Sequence, residues 1–105
     1  MRYKAMKAHY QLVKHAINDM GYTVSVWDGG EWQVKRSTSV AAVMDAIESV
    51  DESELKFRNN DGDDCGWASI VLGNDGGDEV SDYSVSREAV TWIDTWFNRV
   101  IMGAA

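Results

Sequence analysis

The sequence predicts an α+β fold: an antiparallel sheet of about four strands from two hairpins, packed by about three helices in the order α-ββ-α-ββ-α. Three observations carry this. Apolar residues recur every three or four positions in three separate segments, which is the helical period. Between those segments lie short runs with the two-residue period of strands, broken by the turn clusters Asp28-Gly29-Gly30 and Asn59-Asn60-Asp61-Gly62-Asp63-Asp64. Connections this short exclude a parallel sheet, whose crossovers need a dozen or more residues. Helices must then cover the sheet's apolar face.

The first expected helix spans residues 2–20. Tyr3, Met6, Tyr10, Val13, Ile17 and Met20 step along one face, widened by Leu12 and Ala16. His9 and His15 fall on the polar face with Arg2, Lys4, Lys7 and Lys14. Gly21 stops the helix, because glycine enters the left-handed region cheaply. Tyr22, Val24 and Val26 then alternate with Thr23, Ser25 and Trp27 as a strand. Asp28-Gly29-Gly30 turns it back, since tight hairpin turns need positive φ. Residues 31–35 return with Trp32 and Val34 on one face.

Ser37-Thr38-Ser39 supplies N-cap hydroxyls for a second helix over 39–50, with Val40, Val43, Met44, Ile47 and Val50 as its stripe. Leu55 and Phe57 alternate with Lys56 and Arg58 in a third strand. The continuous apolar run 66–72 reads as a central strand buried on both faces. Residues 73–81, rich in Gly, Asn and Asp, read as a loop, and 83–85 as a short edge strand. Ser84 or Ser86 caps a last helix over about 87–101, with Val90, Ile93, Phe97, Val100 and Ile101 facing inward.

The chain has 105 residues, enough for one domain (1–105) with a single core. Seventeen acids against ten bases give a net charge of −7. That disfavours direct binding to nucleic acid or to an anionic membrane, both of which select for Lys and Arg. Cys65 is the one cysteine, so no intrachain disulfide or cysteine zinc cluster forms, and a reducing cytoplasm fits. No apolar run approaches the length of a membrane helix, and no signal peptide is expected.

The charge is segregated. Residues 51–85 hold ten acids and two bases, while 1–50 hold five acids and six bases. Asp61, Asp63, Asp64, Asp75, Asp78, Glu79 and Asp82 are therefore candidates for an anionic surface that meets a basic protein, against the plainer reading of solvated Gly-Asp turns. A metal site is not expected. Asp61-x-Asp63-x-Cys65-Gly66 imitates the start of a calcium loop, but position five is Cys65 and position twelve is Leu72, where a bidentate Glu is needed. His9 and His15, six apart, cannot share an ion as an i, i+4 pair would. No cofactor motif and no catalytic constellation is visible.

Five tryptophans are many for this length. Trp27, Trp32 and Trp67 lie on strands as core or sheet-face residues. Trp92 and Trp96 are four apart on the last helix, either deeply packed or an exposed patch for a partner or a second copy.

The run Tyr22-Thr-Val-Ser-Val-Trp-Asp-Gly-Gly-Glu-Trp-Gln-Val-Lys-Arg-Ser37, with 46–50 and 55–68, resembles small uncharacterised proteins of tailed bacteriophages. The resemblance covers about half the chain. It implies an accessory viral protein made in a bacterial cytoplasm, and it brings no catalytic residue. The expected function is a small acidic, non-catalytic binding protein that modulates or inhibits a host protein with a basic surface, in its sharpest form as a nucleic-acid mimic. The alternative is an assembly protein that forms homodimers through Trp92 and Trp96.

Overall fold

The computed structural model describes residues 8–73, 80–84 and 91–101. Within them the fold is α+β: three helices lie on one antiparallel sheet. Helix α1 (Ala8–Lys14) runs on into a π-helical turn (His15–Asp19). Strands β1 (Thr23–Trp27) and β2 (Trp32–Ser37) form a hairpin, and helix α2 (Val40–Glu48) follows. Strands β3 (Glu52–Arg58), β4 (Asp64–Val71) and β5 (Val80–Tyr83) precede helix α3 (Thr91–Trp96), which ends in a second π-helical turn (Phe97–Ile101). The sheet order is β2-β1-β3-β4-β5, with every pairing antiparallel.

The described sheet has five strands rather than four. The short edge strand expected at 83–85 instead spans Val80–Tyr83, starting inside the stretch read as loop, because Val80 is 3% exposed and pairs with Ile70 on β4. One apolar anchor among polar neighbours is too little periodicity to fix where the strand starts. Local signals did mark the other boundaries. The Ser39 side chain caps α2 by accepting from the Ala42 N–H at 3.2 Å. Gly21 has φ 74 where α1 stops, and Gly29 has φ 101 in the first hairpin turn.

All three helices lie on the same side of the sheet. Val24 and Val26 on β1, Leu55 and Phe57 on β3, and Ala68 and Ile70 on β4 face them and are at most 1% exposed. Trp92 of α3 meets Phe57 edge-on, with centroids 5.0 Å apart, and its indole N–H donates to the Cys65 carbonyl at 2.7 Å. His15 links α1 to α3 by its ring contact with Trp92, and His9 links α1 to α2 by approaching the Glu48 carboxylate at 3.4 Å.

Two readings of α1 are corrected here. Its buried residues are Ala8, His9, Leu12 and Val13, joined by Ala16, while Tyr10 and Ile17 pack at the margin. Positions 9, 12, 13 and 16 obey the same three-and-four spacing as the expected stripe, rotated around the helix. Counting histidine as polar hid this, yet His9 is fully buried against α2. His15, half-buried, pairs with Asp19 at 2.9 Å.

The apolar run on β4 is also corrected. It is buried on one face: Cys65, Gly66, Ala68 and Ile70 are covered, while Trp67, Ser69 and Val71 are half-buried. No described helix covers that second face. Among the described residues, no helix is long and apolar enough to cross a membrane.

Candidate functional site

The helix-free face of the sheet carries the chemistry. Strand alternation puts Glu52, Glu54, Lys56 and Arg58 of β3 opposite the core residues Ser53, Leu55 and Phe57. Cross-strand register then assembles rows. Trp27, Glu54, Ser69 and Asp82 stand side by side on β1, β3, β4 and β5, and Ser25, Lys56 and Trp67 form the next row. Glu54 and Asp82 are two strands apart, about 10 Å at ordinary strand spacing.

Trp32 joins this face through an irregular register. Trp27 pairs with Trp32, but Val26 pairs with Val34, so the register shifts between them. The expectation that Trp32 and Val34 share a face is therefore corrected: Val34 follows Val26 toward the core, and Trp32 follows Trp27 outward. The Trp27 and Trp32 rings meet edge-on with centroids 5.1 Å apart. Trp32 is 43% exposed, the one large apolar side chain so open among the described residues. Trp27, Trp32 and Trp67, with Glu54, Leu55 and Lys56, line an open groove of about 260 Å³. A neighbouring hollow is lined by Trp27, Asp28, Glu52, Glu54 and Ser69.

The turn that presents Trp27 and Trp32 is braced by Asp28. Its carboxylate accepts from the Gly30 and Glu31 N–H groups, both at 2.8 Å, and from the Gln33 amide. These bonds hold the Asp28 carboxyl below its ordinary range, the Glu31 and Gly30 N–H groups contributing most. At the other end of the hairpin, Ser25 Oγ accepts from the Arg36 N–H at 2.8 Å, and Arg36 takes φ 49 in an irregular part of β2.

Three cations gather at the β3–β4 turn. Lys56 Nζ lies 2.9 Å from the Asp64 carboxylate. Arg58 donates to the Gly62 carbonyl at 3.0 Å. The Arg36 guanidinium lies against Gly62, 3.6 Å from where a β-carbon would be. The exposed carboxylates Glu52 and Glu54, at the opposite end beside Trp27, have no ion-pair partner among the described residues.

The acids singled out by composition divide among several places. Asp61 and Asp63 are exposed in the β3–β4 turn, which the Asn59 side chain organises by accepting from both of their N–H groups at 2.9 Å. Asp64 is half-buried and braces Lys56 and the Gly66 N–H. Asp82 is exposed on the open face. Asp75, Asp78 and Glu79 lie outside the described residues. The Asp61–Asp64 stretch is the tip of a β-hairpin, not a helix–loop–helix ion loop. Among the described residues no group of three or more His, Cys, Asp and Glu side chains forms a metal cluster.

Trp92 and Trp96 do not form an exposed patch. Trp96 is 2% exposed, and Trp92 is wedged among Tyr22, Phe57 and His15. Of the two alternatives, deep packing describes them. Nearby phenols are also structural. Burial, aided by the Asp94 carboxylate that accepts its hydroxyl at 3.0 Å, pushes Tyr83 up to about 12. Burial and the neighbouring Cys65 raise Tyr22.

Sequence reasoning missed Glu52 and Glu54 as site members and left Trp27, Trp32 and Trp67 between core and surface. The available signal was the polar alternation of Glu52, Glu54, Lys56 and Arg58, which marks a face that the helices leave open. No protein-family model matches the chain, and neither a curated protein nor a solved structure matches it.

Proposed function

We propose that the protein is a non-catalytic binding protein whose helix-free sheet face docks a basic protein partner. The observation that supports this most is the pairing, on one open face, of three indoles with the carboxylates Glu52 and Glu54, which have no ion-pair partner among the described residues. Indoles provide large rigid contact area, and the carboxylates select positive charge and steer its approach. Asp82, in the same cross-strand row as Glu54, extends the anionic strip toward β5. The excess of acids in 51–85 gives the whole region the sign such a partner requires.

In its finer form, the partner is a bacterial host protein whose DNA-binding channel accepts these acids in place of phosphates, as the phage resemblance suggests. Self-association through α3 is the weaker reading, because Trp96 is only 2% exposed.

The test is capture from a bacterial lysate on immobilised protein, washed at graded salt, with the triple variant Trp32→Ser/Glu52→Gln/Glu54→Gln run in parallel. The expected result is a basic protein that is retained by the parent, released as salt rises and lost on the variant. Equal retention by both would remove the sheet face from the interaction.

A further inference from the structure

Resting on that reading, we infer that the groove between the Trp27–Trp32 pair and Trp67 is an arginine-binding subsite, with Glu54 as the counter-ion for the guanidinium. Trp27 and Glu54 are direct cross-strand neighbours, and Lys56, the next residue of that face, pairs with Trp67. The indoles therefore flank a strip that carries the Glu54 carboxylate, which has no ion-pair partner among the described residues.

The protein's own lysine does not occupy the position. Lys56 lines the groove, but its ammonium pairs with Asp64 at 2.9 Å. What remains is an aromatic recess of about 260 Å³ with a carboxylate at its side and open to solvent through Trp32. Trp27 and Trp32 meet edge-on at 64° between planes, and both line the recess.

Chemistry selects guanidinium over ammonium here. A guanidinium is planar and weakly hydrated, so it stacks on an indole at low desolvation cost and still presents paired N–H donors to a carboxylate. An ammonium is a compact, strongly hydrated charge that gives up more water to enter the same recess. Cation–π attraction is strongest over tryptophan, and the groove supplies three.

The experiment follows the five indole N–H signals of the intact protein in nitrogen–proton correlation spectra. The probes are a short capped peptide alternating Arg and Thr, its Lys counterpart, and the neutral sugar maltohexaose. The Trp27, Trp32 and Trp67 signals should shift saturably with the Arg peptide, while Trp92 and Trp96 stay in place. The Lys peptide should bind several-fold more weakly, and Glu54→Gln or Trp32→Ala should each weaken the Arg peptide by about tenfold. Backbone signals of the variants verify that each remains folded.

Equal binding of the two peptides, or shifts confined to the Asp61–Asp64 turn, would overturn the arginine subsite while leaving an acidic binding protein in place. Failure of both cationic peptides to bind would overturn the basic-partner reading as well. Shifts of the three indoles with maltohexaose, or with protein concentration alone, would assign the groove to a sugar or to a second copy and overturn the inference.

Discussion

The two faces of strand β3 obey opposite rules. Ser53, Leu55 and Phe57 point into the helices and are buried, while Glu52, Glu54, Lys56 and Arg58 point to the side no described helix covers. The covered face is close-packed and apolar, so its residues are fixed by volume. The open face is fixed by register and charge, and its rings stay only partly covered. One strand thus separates the residues that hold the fold from those free to recognise something else. Substitutions on the first face should cost stability, and those on the second should change binding.

The largest effect is expected at Phe57. The ring is fully buried and meets Trp92 edge-on. Phe57→Ala removes that contact and leaves a cavity beneath α3, at a cost of about 3–5 kcal/mol. Chemical denaturation should show it as a lower midpoint with little change in slope. A cost below about 1 kcal/mol would mean that the covered face is not the structural one.

A smaller effect is expected where the open face is shaped. Gly29 holds φ 101 in the turn that brings Trp27 and Trp32 together. Valine there would be forced into a region that its branched side chain strongly disfavours. Gly29→Val should cost about 1–2 kcal/mol. Space is not the issue, because nothing lies within 4 Å of the added β-carbon. Gly29→Ala meets the same backbone strain without the branch and should lose most of what valine loses, and a loss with valine alone would point to crowding instead of backbone strain.

Tyr83 tests how α3 is fastened to the covered side. Its hydroxyl donates to Asp94 and its ring lies 5.0 Å from Phe97. The phenol titrates near 12 in the folded protein, above its ordinary value of 10.0. A raised pKa means that its contribution to stability is complete below pH 10 and is lost as pH rises toward 12. The melting temperature of the parent should fall across that window more steeply than that of Tyr83→Phe. Parallel curves would show that the Tyr83–Asp94 bond contributes nothing there.

The sequence was most informative where a signal was local. The turn at Asp28-Gly29-Gly30, the Ser39 cap and the Gly21 stop each depend on a few adjacent residues, and each is found in the structure. It was least informative where tertiary context decides. His9 looks polar until α2 brings Glu48 beside it. The run at 66–72 looks doubly buried, because Trp67 reads as a core residue when nothing says that one face lacks a helix. The open face draws Trp27, Trp32, Glu54, Trp67 and Asp82 from all five described strands, so strand order had to be known before those residues could be seen as neighbours. The irregular register between β1 and β2 added a further obstacle by sending Trp32 outward, against simple alternation.

The smallest stability effect is expected at Trp32, and it gives the sharpest separation of the two faces. The ring is 43% exposed and its described ring partner is Trp27, itself only half-buried. Trp32→Thr keeps a residue suited to a strand and removes the indole. The loss includes one edge-to-face contact, worth about 0.5–1.5 kcal/mol in a packed setting and less where solvent reaches both rings. Thr also favours the extended backbone of β2, which offsets part of it. The net change should lie within about 0.5 kcal/mol, as for surface substitutions generally. Measured beside Phe57→Ala, the midpoint should barely move, while retention of a basic partner falls. A destabilisation approaching that of Phe57→Ala would make Trp32 a structural residue and return the open face to the core.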